Sequence, residues 1–148
     1  LIDTGALITG MTNLEVAMHL LCAGLPWCEG LVFLDSQDRK MMLLRHGLKI
    51  VPLQQCDIHK SRRFAFYDQV HTTGMDLEHA LNAKAVLTLG KDMTFRDYAQ
   101  GAYRMRGIGK GQNIQLFVIP EVRQLIQDTL RVPDLLAAPA PPLNPIFS

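Results

Sequence analysis

Leu14, Ala17, Met18 and Leu21 recur at three- and four-residue intervals, which predicts a helix over Asn13–Ala23 with those four side chains on its buried face. Thr12 followed three residues later by Glu15 has the form of a capping box, and Gly24 with Pro26 supplies the stop. Residues 30–34 are then apolar without interruption, as expected of a strand covered on both faces. Asp35 or Ser36 can cap a second helix running to about Arg45 and ending at Gly47. Further strands are expected at 48–53, 64–68, 84–89 and 114–119. Thr94 with Asp97 opens a helix through about Met105, a glycine-rich turn follows at 107–111, and Pro120 suits the first turn of a last helix reaching Leu130. After Val132 the proline-rich stretch 133–142 cannot continue a helix and reads as an extended linker or surface strap.

Strands alternating with helices at these intervals predict an α/β fold: a mainly parallel sheet of about five strands with helices on both faces. The expected organisation is a helical lead-in over 1–29, an α/β module over 30–132 and a tail over 133–148. In such sheets ligands gather beyond the carboxyl ends of the strands. Two unusual segments, 68–76 and 100–112, fall there.

Composition narrows the partners. With 48% hydrophobic and 20% charged residues, the 148-residue chain has an ordinary globular mix. A net charge of +1 gives no global attraction to nucleic acid or anionic membrane, so any polyanion site must be local. Three cysteines at irregular spacing, Cys22, Cys28 and Cys56, make neither a disulfide framework nor a zinc pattern, and a reducing, intracellular setting (cytoplasmic or nuclear) is expected. No apolar stretch reaches the roughly 18 residues of a membrane span. The start at Leu1, with no basic leader, reads as a piece of something longer.

Four segments follow the order and spacing of the second motor domain of superfamily-two helicases. Residues 30–36 resemble the strand of motif IV, and 64–76, ending in Gly74-x-Asp76, resemble motif V. Residues 85–89 resemble the strand after it, and 97–111, with Gln100, Arg104 and Arg106, resemble motif VI and its glycine turn. The resemblance implies a RecA-like, P-loop NTPase type of fold, with Gly74, Asp76 and Gln100 at a nucleotide-facing interface. It also implies that Arg104 and Arg106 act on phosphate charge, where an arginine can be worth roughly a thousandfold or more. In the family the second arginine lies seven residues after the glutamine, which here is Gly107. Arg106 sits one residue earlier, a rotation of about 100° on a helix.

A more specific resemblance covers most of residues 1–122. Asp68, His71, Thr72, Gly74 and Asp76, the run Leu87-Thr88-Leu89-Gly90, and Arg104-Met105-Arg106 with Gly109-Lys110-Gly111-Gln112 look like a block in very large eukaryotic proteins labelled thiol-type ubiquitinyl hydrolases. So do Leu7-Ile8-Thr9-Gly10 and Asn13 with Glu15-Val16-Ala17. This resemblance implies a segment of a giant multidomain protein, with the rest of that chain, nucleic acid and ubiquitin as partners to consider.

The expected function is therefore a helicase-like segment forming one side of a nucleotide cleft. Without a Gly-x-x-x-x-Gly-Lys-Ser/Thr loop it is expected to be inactive alone and to hold no cofactor, ATP and Mg entering through the parent protein. One alternative is part of a thiol hydrolase, for which Cys56 or Cys28 with His59 or His71, oriented by Asp68 or Asp76, are the available groups. The other is a non-catalytic scaffold. Plainer readings stand beside these. Arg104 and Arg106 can be surface residues or partners of Asp92 and Asp97, and the cluster Lys60, Arg62 and Arg63 beside His59 is either a nucleic-acid contact or a solvated turn. The glycines at 107, 109 and 111 follow a helix and open a strand, the reverse of a dinucleotide-binding turn. No metal ligand set is expected.

Overall fold

The computed structural model describes residues 1–73 and 75–130. Helix α1 (Asn13–Ala23) is capped as its sequence implies: the Thr12 hydroxyl accepts from the Glu15 amide at 3.2 Å, and the Glu15 carboxylate accepts from the Thr12 amide at 2.7 Å. Its inner face is Val16, Ala17 and Leu21, while Met18 is exposed, so the buried stripe is rotated from the expected one.

Strand β1 (Gly30–Leu34) is buried along its whole length. The expected helix after it does not form. The Asp35 carboxylate instead accepts from the amides of Gln37 and Arg39, both at 2.9 Å, and Asp38 takes a positive φ of 59°. This local cap makes a tight turn, and β2 (Lys40–Leu44) returns antiparallel to β1 with Gly30 opposite Leu44. A short strand β3 (Ile50–Pro52) pairs antiparallel with β2, and β4 (Arg63–Ala65) lies parallel to β1.

The result is a mixed four-stranded sheet ordered β3-β2-β1-β4, with a separate two-stranded parallel sheet of β5 (Lys84–Leu89) and β6 (Asn113–Val118). This overturns the expectation of one mainly parallel sheet of about five strands flanked by helices on both faces. Only three α-helices form among the described residues: α1, α2 (Phe95–Ala102) and α3 (Pro120–Leu130). Single bridges from Ile2 to Tyr67 and to Leu87 run between the two sheets.

Alternation along the strands divides the interior into two clusters. Leu31, Phe33, Leu43 and Phe66 pack with α1, so the 1–29 lead-in has no separate core. Their neighbours Val32, Met42 and Tyr67 point the other way, joining Ile2, Leu87, and the Ala102 and Met105 that end the helical segment. Burying each large apolar side chain contributes about 1.5–3 kcal/mol, so the residues that appear as continuous apolar runs drive both faces. Helix α3 by contrast buries only Val122, and on β6 Leu116, Phe117 and Val118 stay exposed.

Two close approaches need glycine. A Cβ on Gly90 would stand 2.5 Å from the Gly5 carbonyl oxygen, and one on Gly5 would stand 2.6 Å from the Gly90 nitrogen. Here the loop after the first residues touches the loop after β5, backbone to backbone. Beside it the buried Asp3 carboxylate accepts from the amides of Leu7 and Ile8 and from the Thr88 hydroxyl, which fixes the same junction. The expected proline-rich tail at 133–142 lies outside the described residues.

Candidate site at Asp76, Arg104 and Arg106

The Thr94–Asp97 capping box opens α2, with the Asp97 carboxylate accepting from the Thr94 amide at 2.8 Å. Hydrogen bonding to Thr94 holds the Asp97 carboxyl below its usual range. The helix ends in a tight turn, Arg104 N–H to Gly101 and Met105 N–H to Ala102. That turn sends Met105 into the core, Arg104 inward and Arg106 outward.

Both arginines meet the segment around Asp76. Arg104, only 7% exposed, donates from Nη1 to the Met75 carbonyl and, at 3.2 Å, to the Asp76 carboxylate. Arg106 grips both Asp76 oxygens from Nη2 at 2.8 Å, with its Nε 3.3 Å from one of them. Its guanidinium also lies 4.0 Å from the centre of the Tyr103 ring, within cation–π range. The bond from Arg106 holds the Asp76 carboxyl below its ordinary value, with further pull from the charges of Arg104 and Lys40. Neither arginine pairs with Asp92 or Asp97. Among the described residues the Arg104 Nε is buried without a partner, a spare donor next to the cluster.

Gln112 fastens the glycine turn to the same region. Its Oε1 accepts from the Gly107 amide at 2.8 Å and its Nε2 donates to the Ala80 carbonyl at 2.9 Å. Gly109 and Gly111 take φ of 78° and 114°, and a Cβ on Gly111 would lie 2.7 Å from the Leu81 carbonyl oxygen. Thus the segments 75–81 and 104–112 form one bonded unit. Of the other expected site residues, Gln100 is half-buried on α2 and is not bonded to the cluster, and Gly74 lies outside the described residues.

The remaining candidates are dispersed. Lys60 pairs with Glu78, Arg62 with Glu29 at 3.2 Å, and the Arg63 Nε donates to the Ile58 carbonyl at 2.6 Å. Each cation of the expected nucleic-acid patch is thereby engaged within the chain. The thiols fare similarly. Cys28 is fully buried, donates to the Gly30 carbonyl, and burial raises its pKa, the opposite of an activated nucleophile. Cys22 is exposed. Cys56 lines a shallow groove with Asp57 and His59, but the His59 Nδ1 accepts from the Ser61 amide at 3.2 Å and faces its own turn. Among the described residues no cysteine is hydrogen-bonded to a histidine.

Of two histidine arrangements, the sequence offered Asp68 as a partner for His71, but neither Asp38 on its other ring nitrogen nor the pairing of His79 with Tyr67. His71 places one ring nitrogen on Asp68 and the other 2.6 Å from Asp38, so it ties the turn between β1 and β2 to the loop after β4. Its burial disfavours the charged ring, but the two carboxylates outweigh this and raise its pKa. His79 Nε2 and the Tyr67 hydroxyl share a hydrogen bond at 3.0 Å. Burial first, then the positive chain terminus, lowers the His79 pKa to about 4. Burial likewise raises Tyr67 to about 12. An aspartate three residues before His71 is a local signal for that pair, whereas Tyr67 and His79 are joined only by the fold.

Among the described residues no group of three or more His, Cys, Asp and Glu side chains is placed to hold a metal ion. Nor is any helix among them long and apolar enough to cross a membrane. Comparisons with protein-family models, curated proteins and solved structures find no match for this chain.

Proposed function

We propose that the chain supplies one wall of a nucleotide-phosphate cleft in a larger protein, with Arg106 as the phosphate-facing group and Arg104 as its support. The observation that carries this reading is the convergence of Asp76, Arg104 and Arg106 from segments 28 and 30 residues apart into one solvent-facing cluster. A guanidinium offers planar N–H pairs suited to carboxylate and phosphate alike. The donor set fits phosphate oxygens. It does not fit Mg, because the one carboxylate present is already shared by two arginines. The metal and the greater part of the nucleotide site then belong to another part of the protein, and the isolated chain should neither bind ATP tightly nor turn it over.

The test is steady-state ATPase of the full-length protein. Arg106→Ala is expected to lower kcat by about tenfold or more, and Arg106→Lys to rescue it only in part, since the ammonium lacks the planar fork. One observation favours a second reading, the non-catalytic scaffold: both arginines are already bonded within the chain. Under that reading Arg104→Ala and Arg106→Ala leave ATPase unchanged in well-folded protein. That result would remove the nucleotide reading, as would steady ATP turnover by these 148 residues alone.

A further inference from the structure

Asp76 occupies the Nε/Nη2 edge that Arg106 would turn to a phosphate, with Nη2 at 2.8 Å from each carboxylate oxygen and Nε at 3.3 Å from one. Its side chain is nevertheless 62% exposed to solvent. The backbone beside it is fixed on both sides, by the Arg104 bond to the Met75 carbonyl and by the burial of Leu77. Release of the carboxylate therefore requires only a side-chain rotation. Arg106 would not follow it, because Tyr103 stacks against the guanidinium independently. Once Asp76 turns away, the positive charges of Arg104, Arg106 and Lys40, all of which act on it now, face an empty position.

We infer that Asp76 is an internal competitor for oxyanions at Arg106: a phosphate or diphosphate group binds there by displacing the Asp76 carboxylate. This inference rests on the phosphate-facing reading of Arg106 and adds a mechanism by which the site stays closed. The resting cluster carries two positive and one negative charge. An incoming anion must overcome both the repulsion of Asp76 and the loss of its bidentate pair. The charge of Lys40 on β2 also acts on this carboxylate, and Tyr67 and His79 are the titratable groups that sense its charge.

Inorganic pyrophosphate titrated into the purified chain, followed by calorimetry or amide chemical shifts, tests this directly. Asp76→Asn removes the charge and keeps the shape. It should bind pyrophosphate about five- to tenfold more tightly than the wild type, the scale of one charge interaction at roughly 4 Å in a solvent-exposed setting. The gain should vanish in Asp76→Asn combined with Arg106→Ala. Should Asp76→Asn fail to melt cooperatively, Asp76→Ser provides the same loss of charge. Equal affinity of wild type and charge-free variant, within about twofold, overturns the inference, and so does a gain that persists without Arg106. The two readings fail separately. An Arg106→Ala loss of ATPase in the full-length protein without tighter pyrophosphate binding by Asp76→Asn leaves the function and removes the competitor. Tighter binding with unchanged ATPase does the reverse.

Discussion

Arg45 predicts the largest single loss of stability. Its guanidinium donates to four backbone carbonyls: Cys28 from Nε at 2.7 Å, Leu21 from Nη1 at 3.0 Å, and Gly24 and Leu25 from Nη2 at 3.0 and 2.7 Å. Leu21 and Gly24 belong to the end of α1, where carbonyls lack intrahelical partners, and a cation there also opposes the helix dipole. Arg45→Ala removes all four bonds at once. The Gly24 carbonyl borders solvent and can be rehydrated, but Leu21 and Cys28 are 1% and 0% exposed. Two orphaned buried acceptors at about 1–3 kcal/mol each give an expected cost of roughly 3–4 kcal/mol once partial relaxation is allowed. That is a large share of the 5–15 kcal/mol or so that holds a domain together. Arg45→Lys keeps the charge but cannot span four acceptors, so about half the loss should remain. Urea unfolding followed by circular dichroism reads the shift in midpoint at constant slope. A cost below about 1 kcal/mol for Arg45→Ala, or full recovery with lysine, would refute the four-acceptor account.

Two further outcomes follow from the packing and the titrating groups. Gly90→Ala should destabilise by about 1–3 kcal/mol, since its Cβ would meet the Gly5 backbone rather than a yielding side chain; an unchanged melting temperature contradicts that contact. The two bonded histidines should titrate in opposite directions. His79, with a folded pKa of about 4 against 6.5 unfolded, binds its proton more readily in the unfolded chain. Its contribution is present above about 6.5 and is lost as pH falls toward 4, an effect bounded at about 3 kcal/mol. His71, raised by Asp38 and Asp68, contributes below its unfolded value and loses that contribution as pH rises through its folded pKa. Proton NMR titration of the ring signals checks both, and His79 titrating above His71 would refute the assignment.

Capping and periodicity made several elements legible in the sequence. Helix α1 spans the expected residues because Thr12 and Glu15 satisfy each other's backbone donors, and β5 spans the expected residues because an apolar run is bounded by turn formers. Helix α3 begins at Pro120, as its missing N–H allows. The segment after β1 departs from the helix its sequence suggests for a physical reason. An aspartate followed by polar residues caps a helix and closes a turn by the same hydrogen bonds to nearby amides. Only the pairing of Leu31 with Leu43 and Val32 with Met42, opposite each other in the hairpin, selects the turn. With that choice the sheet became mixed rather than parallel.

The candidate site divides along the same line. In the sequence, Asp76, Arg104 and Arg106 stand out through the resemblance of their two segments to helicase motifs V and VI, each a local run of residues. That Arg106 closes on Asp76, that Arg104 reaches the Met75 carbonyl, and that Gln112 binds Ala80 depend on contacts across about thirty residues. So do the engagement of Lys60 and Arg62 by distant carboxylates and the capping of α1 by Arg45. Local hydrogen bonds and hydrophobic period are written residue by residue. Which charge meets which, and which strand runs beside which, is decided only when the two packed faces bring remote segments together.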